Sequence, residues 1–115
     1  MQIPKPTEAD KESFRALVPD DPRVEVKPMF GNLGAFVNGN MFLGLFGADV
    51  GVKFAPADGD ELAKAEGAGP FGPTERPMGG YLTLPRSLWG TAEGDRWISR
   101  SLDHVARLPP KSPKR

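Results

Sequence analysis

The chain of 115 residues contains no cysteine, one histidine and no net charge. Without cysteine it can form no disulfide, thiolate nucleophile or cysteine-ligated zinc or iron–sulfur site. His104 alone leaves a transition metal almost no ligands, and it is explained better as a solvated side chain than as a general base. A balanced charge excludes a global field that would attract nucleic acid. We therefore predict no catalytic, cofactor-binding or metal-binding residues.

Long hydrophobic runs are missing as well. The longest apolar-rich stretch, residues 41–46, is far too short to cross a bilayer, and the first residues show no signal-peptide pattern. We expect a cytoplasmic protein with no membrane segment. The length and the apolar fraction of 38% fit one globular domain, which we assign to residues 1–108. Residues 109–115 are expected to form a disordered basic tail.

Helices are indicated by capping residues and by helical periodicity. Thr7 and Asp10 resemble a capping box at the start of a helix over about residues 8–18. An acidic segment predicts a short helix over roughly 58–66, and Thr91 can cap a final helix. The apolar stripe of that final helix consists of Trp97, Ile98, Ser101, Leu102, Val105 and Ala106.

Strands are indicated by residues that alternate between apolar and polar. The fragments RVEVKPMF and VGVKF have this pattern, and GYLTLP resembles a further strand. The fragment LGAFVNGNMFLGLF offers two apolar runs joined by Asn38 and Gly39. Asn-Gly between such runs is a strong signal for a hairpin turn. The chain is thus predicted to form a four-strand meander plus one later strand. With N-terminal and C-terminal helices packed on an antiparallel sheet, the fold class is α+β.

The glycines of this hairpin lack the pattern of a phosphate-binding loop, because they lead into strands rather than into a helix. A turn at Asn38 and Gly39 predicts that small residues face large ones, with Gly34 opposite Leu43, Ala35 opposite Phe42 and Leu33 opposite Gly44. The second strand of this hairpin, residues 41–46, is then apolar on both faces. Met41, Leu43 and Leu45 lie on one face, and Phe42 and Phe46 lie on the other. Either helices cover both faces of the sheet, or one apolar face is kept for a partner.

A candidate surface for a partner or for nucleic acid combines basic residues with an aromatic one. Lys27 and Lys53 fall on the polar side of their predicted strands, and we group them with Phe36 and Arg76. A solvated sheet face explains the same pattern without any ligand. A small-ligand pocket between the 67–80 loop and the sheet, with Arg76 as an anion contact, is a further alternative.

Two segments, VKPMFGNLGAFVNGNMFLGLFG and ERPMGGYLTLP, together resemble the N-terminal domain of the TfoX/Sxy competence-regulator family. The motif positions, which are interpreted as structural, are Met29, Phe30, Gly31, Gly34, Asn38, Gly39, Pro77, Met78, Gly79 and Gly80. The resemblance implies an α+β fold related to YjbR-like domains. It also implies a bacterial regulator that acts with a transcription factor, and it supplies no catalytic residues. Full-length members carry a second, helical domain, which has no counterpart in this sequence.

These observations favour a non-enzymatic regulatory or protein-interaction module whose partner is another protein or a second copy in a homodimer. Two alternatives remain open at this point. One is a nucleic-acid-associated regulator that uses the weak basic patch. The other is a small-ligand-binding domain.

Overall fold

The computed structural model describes residues 4–29, 31–55, 58–64, 67–72 and 78–110. These residues form one five-stranded antiparallel sheet, in which the strands lie side by side in chain order. The predicted α+β fold, with a four-strand meander and one later strand, is confirmed. The elements are α1 (Glu8–Leu17), β1 (Val24–Met29), β2 (Asn32–Val37), β3 (Asn40–Phe46), β4 (Asp49–Lys53), α2 (Gly59–Ala63), β5 (Tyr81–Thr83) and α3 (Ala92–Ala106), with a 3-10 turn at Arg86–Leu88.

The two long helices begin where the sequence predicts. At the start of α1, the Asp10 N–H donates to Thr7 Oγ1 at 3.0 Å and the Thr7 N–H donates to Asp10 Oδ2 at 2.9 Å, which confirms the capping box. At the start of α3, Thr91 Oγ1 accepts from the Gly94 N–H at 3.1 Å. Each cap satisfies backbone donors that the first helical turn leaves without partners. No helix within the described ranges is long and apolar enough to cross a membrane.

One hydrophobic core lies between a single face of the sheet, here called the core face, and the helices α1 and α3. Phe14 and Leu17 of α1 pack into the same buried cluster as the apolar stripe of α3. Fully burying a side chain of this size contributes about 1.5–3 kcal/mol. The sheet contributes Leu33, Ala35, Val37, Phe42, Leu43, Leu45, Val50 and Val52 to this cluster.

The pairing of β2 with β3 differs from the prediction. Near the turn the register is as expected for an Asn-Gly hairpin, with Phe36 opposite Met41, but farther along Ala35 pairs with Leu43. Phe42 is therefore an extra residue in β3, as in a β-bulge. The predicted pairs beyond Phe36 are wrong by one residue, and Gly34 faces Gly44.

The bulge also changes which side chains of β3 share a face. Phe42 and Leu43 are both fully buried in the core cluster, whereas Met41 packs over Gly44 on the other side of the sheet. The predicted division, with Met41, Leu43 and Leu45 on one face, is therefore wrong. A bulge breaks the strict alternation on which that prediction depended.

Two side chains satisfy backbone carbonyls at the bulge. The Ser101 hydroxyl of α3 donates to the Phe42 carbonyl at 2.8 Å, and the bond is buried. The Tyr81 hydroxyl of β5 donates to the Met41 carbonyl, also at 2.8 Å. An unpaired carbonyl would be costly to bury here. Helix α3 and strand β5 are thus both tied to the irregular point of β3.

The hairpin turn that precedes the bulge is attached to the end of α3. Asn38 and Gly39 have positive φ angles of 54° and 82°, as a type I′ turn requires. The Asn38 side-chain amide lies 3.5 Å from the Ala106 carbonyl, and the Asn40 amide donates to the Pro109 carbonyl at 3.1 Å. The first of these carbonyls belongs to the last turn of α3, which leaves it without an intrahelical partner, and the second belongs to the segment just after the helix.

Replacing Ser101 by alanine tests the buried bond to the bulge. We expect Ser101→Ala to lower the free energy of unfolding by about 1–3 kcal/mol, because the Phe42 carbonyl stays buried without a donor. Ser99→Ala is the matched control, since Ser99 is exposed on the same helix and its replacement should change stability by less than about 0.5 kcal/mol. Urea unfolding of both variants measures the difference. Equal effects at the two sites would contradict this account of the bulge.

Candidate interaction surface on the outer sheet face

The face of the sheet that points away from α1 and α3, here called the outer face, carries three of the four candidate residues. Directly opposite residues of paired strands share a face, so Lys27, opposite Gly34, lies on the same face as Phe36. Lys53 lies there too, since its neighbour Val52 belongs to the core. Arg76, like the motif residues Phe30 and Pro77, lies outside the described residues.

Three glycines lie in one row across the centre of the outer face. Gly34 faces Gly44, and Gly44 faces Gly51, so β2, β3 and β4 have no side chain along this line. This glycine row forms a shallow trough in the sheet surface. Met41 fills part of the trough, because a Cβ on Gly44 would lie only 3.0 Å from its Cε. The glycines therefore serve close packing, though not against the cross-strand neighbours that the sequence predicts.

Phe71 fills the other end of the trough. Its side chain is 2% exposed, and a Cβ on Gly51 would overlap its ring. The ring also lies edge-on to Phe46, at a centroid distance of 6.2 Å. The Phe71 carbonyl accepts from the Met78 N–H at 2.8 Å, which joins the two described ends of the loop. Within the described residues, Phe71 therefore holds this loop against the sheet.

Gly51→Ala tests how tightly Phe71 packs in the trough. We expect a loss of about 1–3 kcal/mol in the free energy of unfolding, since the new methyl group overlaps the ring and overpacked sites must shift. Gly69→Ala, in the same loop, is the control because a Cβ there meets nothing within 4 Å. In a Phe71→Ala background the cost of Gly51→Ala should fall. Denaturant unfolding of the four variants measures this coupling, and a cost unchanged by Phe71→Ala would contradict the packing.

Beside the filled trough, the outer face has an open groove of about 270 Å³. Three of the chain's four methionines line it, together with two half-buried aromatic side chains. Methionine side chains are flexible and polarizable, and they are common on surfaces that adapt to a partner. The lining residues are Met29, Phe36, Gly39, Asn40, Met41, Lys53, Met78, Tyr81 and Leu108.

Two lysines on the outer face each lie above an aromatic ring that lines the groove. The Lys27 ammonium is 5.5 Å from the ring centroid of Phe36, and the Lys53 ammonium is 5.0 Å from that of Tyr81. Distances of this size allow a cation–π attraction. Lys27 also pairs with Glu25 at 3.3 Å, but both side chains are well exposed, so this ion pair contributes little to stability. Two ammonium groups thus lie beside the apolar floor, that of Lys53 in the groove lining and that of Lys27 above Phe36.

Tyr81 is part of the groove wall and is also fixed within the structure. Its hydroxyl donates to the Met41 carbonyl, so its polar atom already has a partner. Burial of the phenol raises the pKa of Tyr81 from 10.0 to about 12, because desolvation disfavours the phenolate. The side chain therefore offers the groove an apolar ring edge rather than an ionisable group.

A pH titration tests the burial of Tyr81, which is the only tyrosine. Phenolate absorbance should rise with a midpoint at about pH 12 in the native protein and near pH 10 in denaturant. Because the native state holds the proton more tightly, this stabilisation is complete below pH 10 and is lost as the pH rises towards about 12. Tyr81→Phe should remove this part of the pH dependence. Equal midpoints in the native and denatured states would contradict the burial.

A larger cleft of about 390 Å³ lies between the end of α1 and α3. Its acidic residues include Asp21, which is held by Arg23 through an Nη2–Oδ2 contact of 2.8 Å. Hydrogen bonds from Arg23 lower the pKa of Asp21 from 3.8 to about 2. This pair fixes the turn that leads into β1. Within the described ranges, no three histidine or acidic side chains are grouped to hold a metal ion.

Most described motif residues contribute to this outer face or to its turns. Met29 and Met78 line the groove, Gly34 belongs to the glycine row, and Asn38 with Gly39 forms the hairpin turn. Gly31 occupies the β1–β2 turn, whereas Gly79 and Gly80 form the turn before β5. Sequence reasoning missed Met41, Tyr81 and Met78 as parts of one surface. The signal that could have found them is the presence of three methionines beside the predicted strands.

The family model described as the TfoX N-terminal domain matches residues 12–105. The match covers every strand of the sheet, the groove except Leu108, and nearly all of α3. No curated protein and no solved structure matches the chain.

Proposed function

Because the chain belongs to the TfoX N-terminal domain family, we propose that it is a cytoplasmic, non-enzymatic regulatory module that binds another protein through the groove on its outer face. The observation that carries this proposal is the convergence of three methionines and two aromatic rings in one open groove. Adaptable apolar side chains surrounded by charge are typical of surfaces that bind proteins. The family membership supports a role in transcriptional regulation.

The groove suits a protein better than a small molecule. Small-ligand sites place a few polar groups inside an apolar pocket to fix the ligand's orientation. Here the Tyr81 hydroxyl is already bonded to the Met41 carbonyl, and Lys53 lies against the Tyr81 ring. The remaining floor is largely thioether and aromatic carbon. Such a floor provides apolar contact area but few polar groups to fix the orientation of a small ligand. Apolar contact area is what an inserted side chain of a partner protein requires.

A second copy of the chain is one partner that this surface can accept. Two groove faces packed together would bury methionine and phenylalanine side chains on both subunits, as an isologous dimer does. The lysine rims would then repel one another unless they were offset. A homodimer is therefore the weaker form of the proposal, and light scattering at increasing concentration distinguishes the two. Only self-association raises the mass from 12.4 kDa towards twice that value.

Site-specific photocrosslinking in cells tests whether the outer face is the binding surface. A photoreactive phenylalanine analogue at Phe36 should give a discrete protein adduct, because the ring is half-buried at the groove. The same analogue at Ala92 is the control, since Ala92 is exposed at the start of α3 and away from the groove. Gel mobility and mass spectrometry identify the adducts. Equal adducts at both positions, or none at Phe36, would reject the groove as the binding surface.

Binding of single-stranded nucleic acid is the second candidate function, and the presence of lysines and aromatic rings on one face favours it. Such proteins combine a positive groove with aromatic faces on which bases stack. Lys27 over Phe36 and Lys53 over Tyr81 supply both kinds of group. This candidate ranks second, because two lysines offer few phosphate contacts and affinity for nucleic acid depends on several.

A further inference from the structure

The chemistry of the groove also restricts the kind of partner segment that it can bind. We infer that the groove binds an extended acidic segment in which one bulky apolar side chain lies between two carboxylates. This inference rests on the proposed function. The apolar side chain would contact Met41 and Phe36 on the groove floor, and the carboxylates would meet Lys27 and Lys53 at its two sides.

The positions of the lysines set the spacing of the acids. Lys27 is on β1 and Lys53 is on β4, so three strand spacings separate them. The register places Lys27 in the glycine row and Lys53 two residues beyond that row on β4. At about 4.8 Å per spacing and about 3.3 Å per residue, the two Cα atoms are roughly 16 Å apart. Four residues of an extended chain span about 13 Å, and the long side chains cover the difference. Alternate residues of an extended chain point to the same side. Acids at the first and fifth positions and an apolar residue at the third would therefore all face the groove.

The groove floor can accommodate one large side chain of a partner segment. On the outer face, the glycine row removes three side chains from the centre of the sheet, and Met41 bends over Gly34 and Gly44 to fill the space. The Met41 Sδ would lie 3.0 Å from a Cβ on Gly34. A methionine in this position can change rotamer more readily than a branched or aromatic residue. The floor can thus adapt to an incoming leucine or phenylalanine without moving the backbone.

Acidic protein fits this surface better than nucleic acid does. The two aromatic rings already have a lysine ammonium near one face, at 5.5 and 5.0 Å from the centroids. Those faces are less available for base stacking, on which binding of single strands depends. Two lysines also offer few phosphate contacts, whereas each of them can meet one carboxylate.

The experiment uses the full chain with ¹³C-methyl methionine and records the methyl shifts of Met29, Met41 and Met78. The probe is a short Gly/Ser peptide with a central leucine and a glutamate two residues to either side. Matched probes replace both glutamates by glutamine or by lysine, and oligo(dT) is the nucleic-acid probe. The double variant Lys27→Glu/Lys53→Glu removes the proposed contacts. Lys64→Glu is the control, because Lys64 is exposed beyond the end of α2.

We expect the glutamate peptide to shift the three methyl signals with a saturating titration. The double variant should bind the glutamate peptide about tenfold or more weakly than the wild type, whereas Lys64→Glu should not change the affinity. Added salt should also weaken the binding of this peptide, because the lysines are exposed. The lysine peptide should prefer the double variant to the wild type. Melting curves show whether the double variant is folded, and the comparison of peptides on the wild type does not depend on that variant.

The other outcomes separate this inference from the proposed function. If the glutamine peptide binds as tightly as the glutamate peptide, the groove still binds protein segments but the acidic partner is rejected. If only oligo(dT) shifts the methyl signals, both the acidic segment and the protein partner are overturned. If no probe shifts them, the groove is not a binding surface, and both proposals fail together.

Discussion

The bulge at Phe42 is the feature on which the rest of this fold depends. One extra residue in the central strand turns both Phe42 and Leu43 into the core, where they meet α1 and α3. The disturbed ladder leaves carbonyls that need donors, and the donors come from Ser101 on one side of the sheet and Tyr81 on the other. The last helix and the last strand are therefore positioned by the same irregularity. Bulges are known to redirect side chains and to reshape a sheet locally.

The same register also creates the outer face. Beyond the bulge, Gly34 comes opposite Gly44 rather than opposite Leu43, and Gly51 continues the row on the next strand. A sheet with ordinary side chains there would hold Phe71 and Met41 farther from its surface. Because the row is empty, Phe71 closes one part of the trough and Met41 covers another, and the groove remains beside them. The close packing of Phe71 and Met41 and the groove beside them thus depend on the same three glycines.

Local sequence signals predicted the parts of this fold that local physics determines. The capping box of Thr7 and Asp10 and the turn at Asn38 and Gly39 each depend on a few adjacent residues, and both are present. The bulge could not be predicted in this way. Met41, Phe42 and Leu43 are all apolar, so alternation does not distinguish the two registers, and the hydroxyl that satisfies the bulge is 59 residues away in sequence.

The candidate surface was predicted in part for a similar reason. Lys27, Phe36 and Lys53 share a face, as the alternation of side chains along their strands requires. Alternation is a local property, and the sequences of β1 and β4 show it directly. The glycine row needs the relative register of three strands, which no single segment encodes. Met78 reaches the groove only because the loop that carries Phe71 folds back onto the sheet. The glycine row and the position of Met78 therefore depend on long-range pairing, which sequence patterns do not predict.

The attachment of the hairpin turn to the end of α3 brings the residues that follow this helix to the groove. Asn40 lines the groove and holds the Pro109 carbonyl, while Leu108 forms part of the groove wall. Because these contacts join the hairpin to the residues after α3, any displacement of that helix along the sheet would also move this wall of the groove.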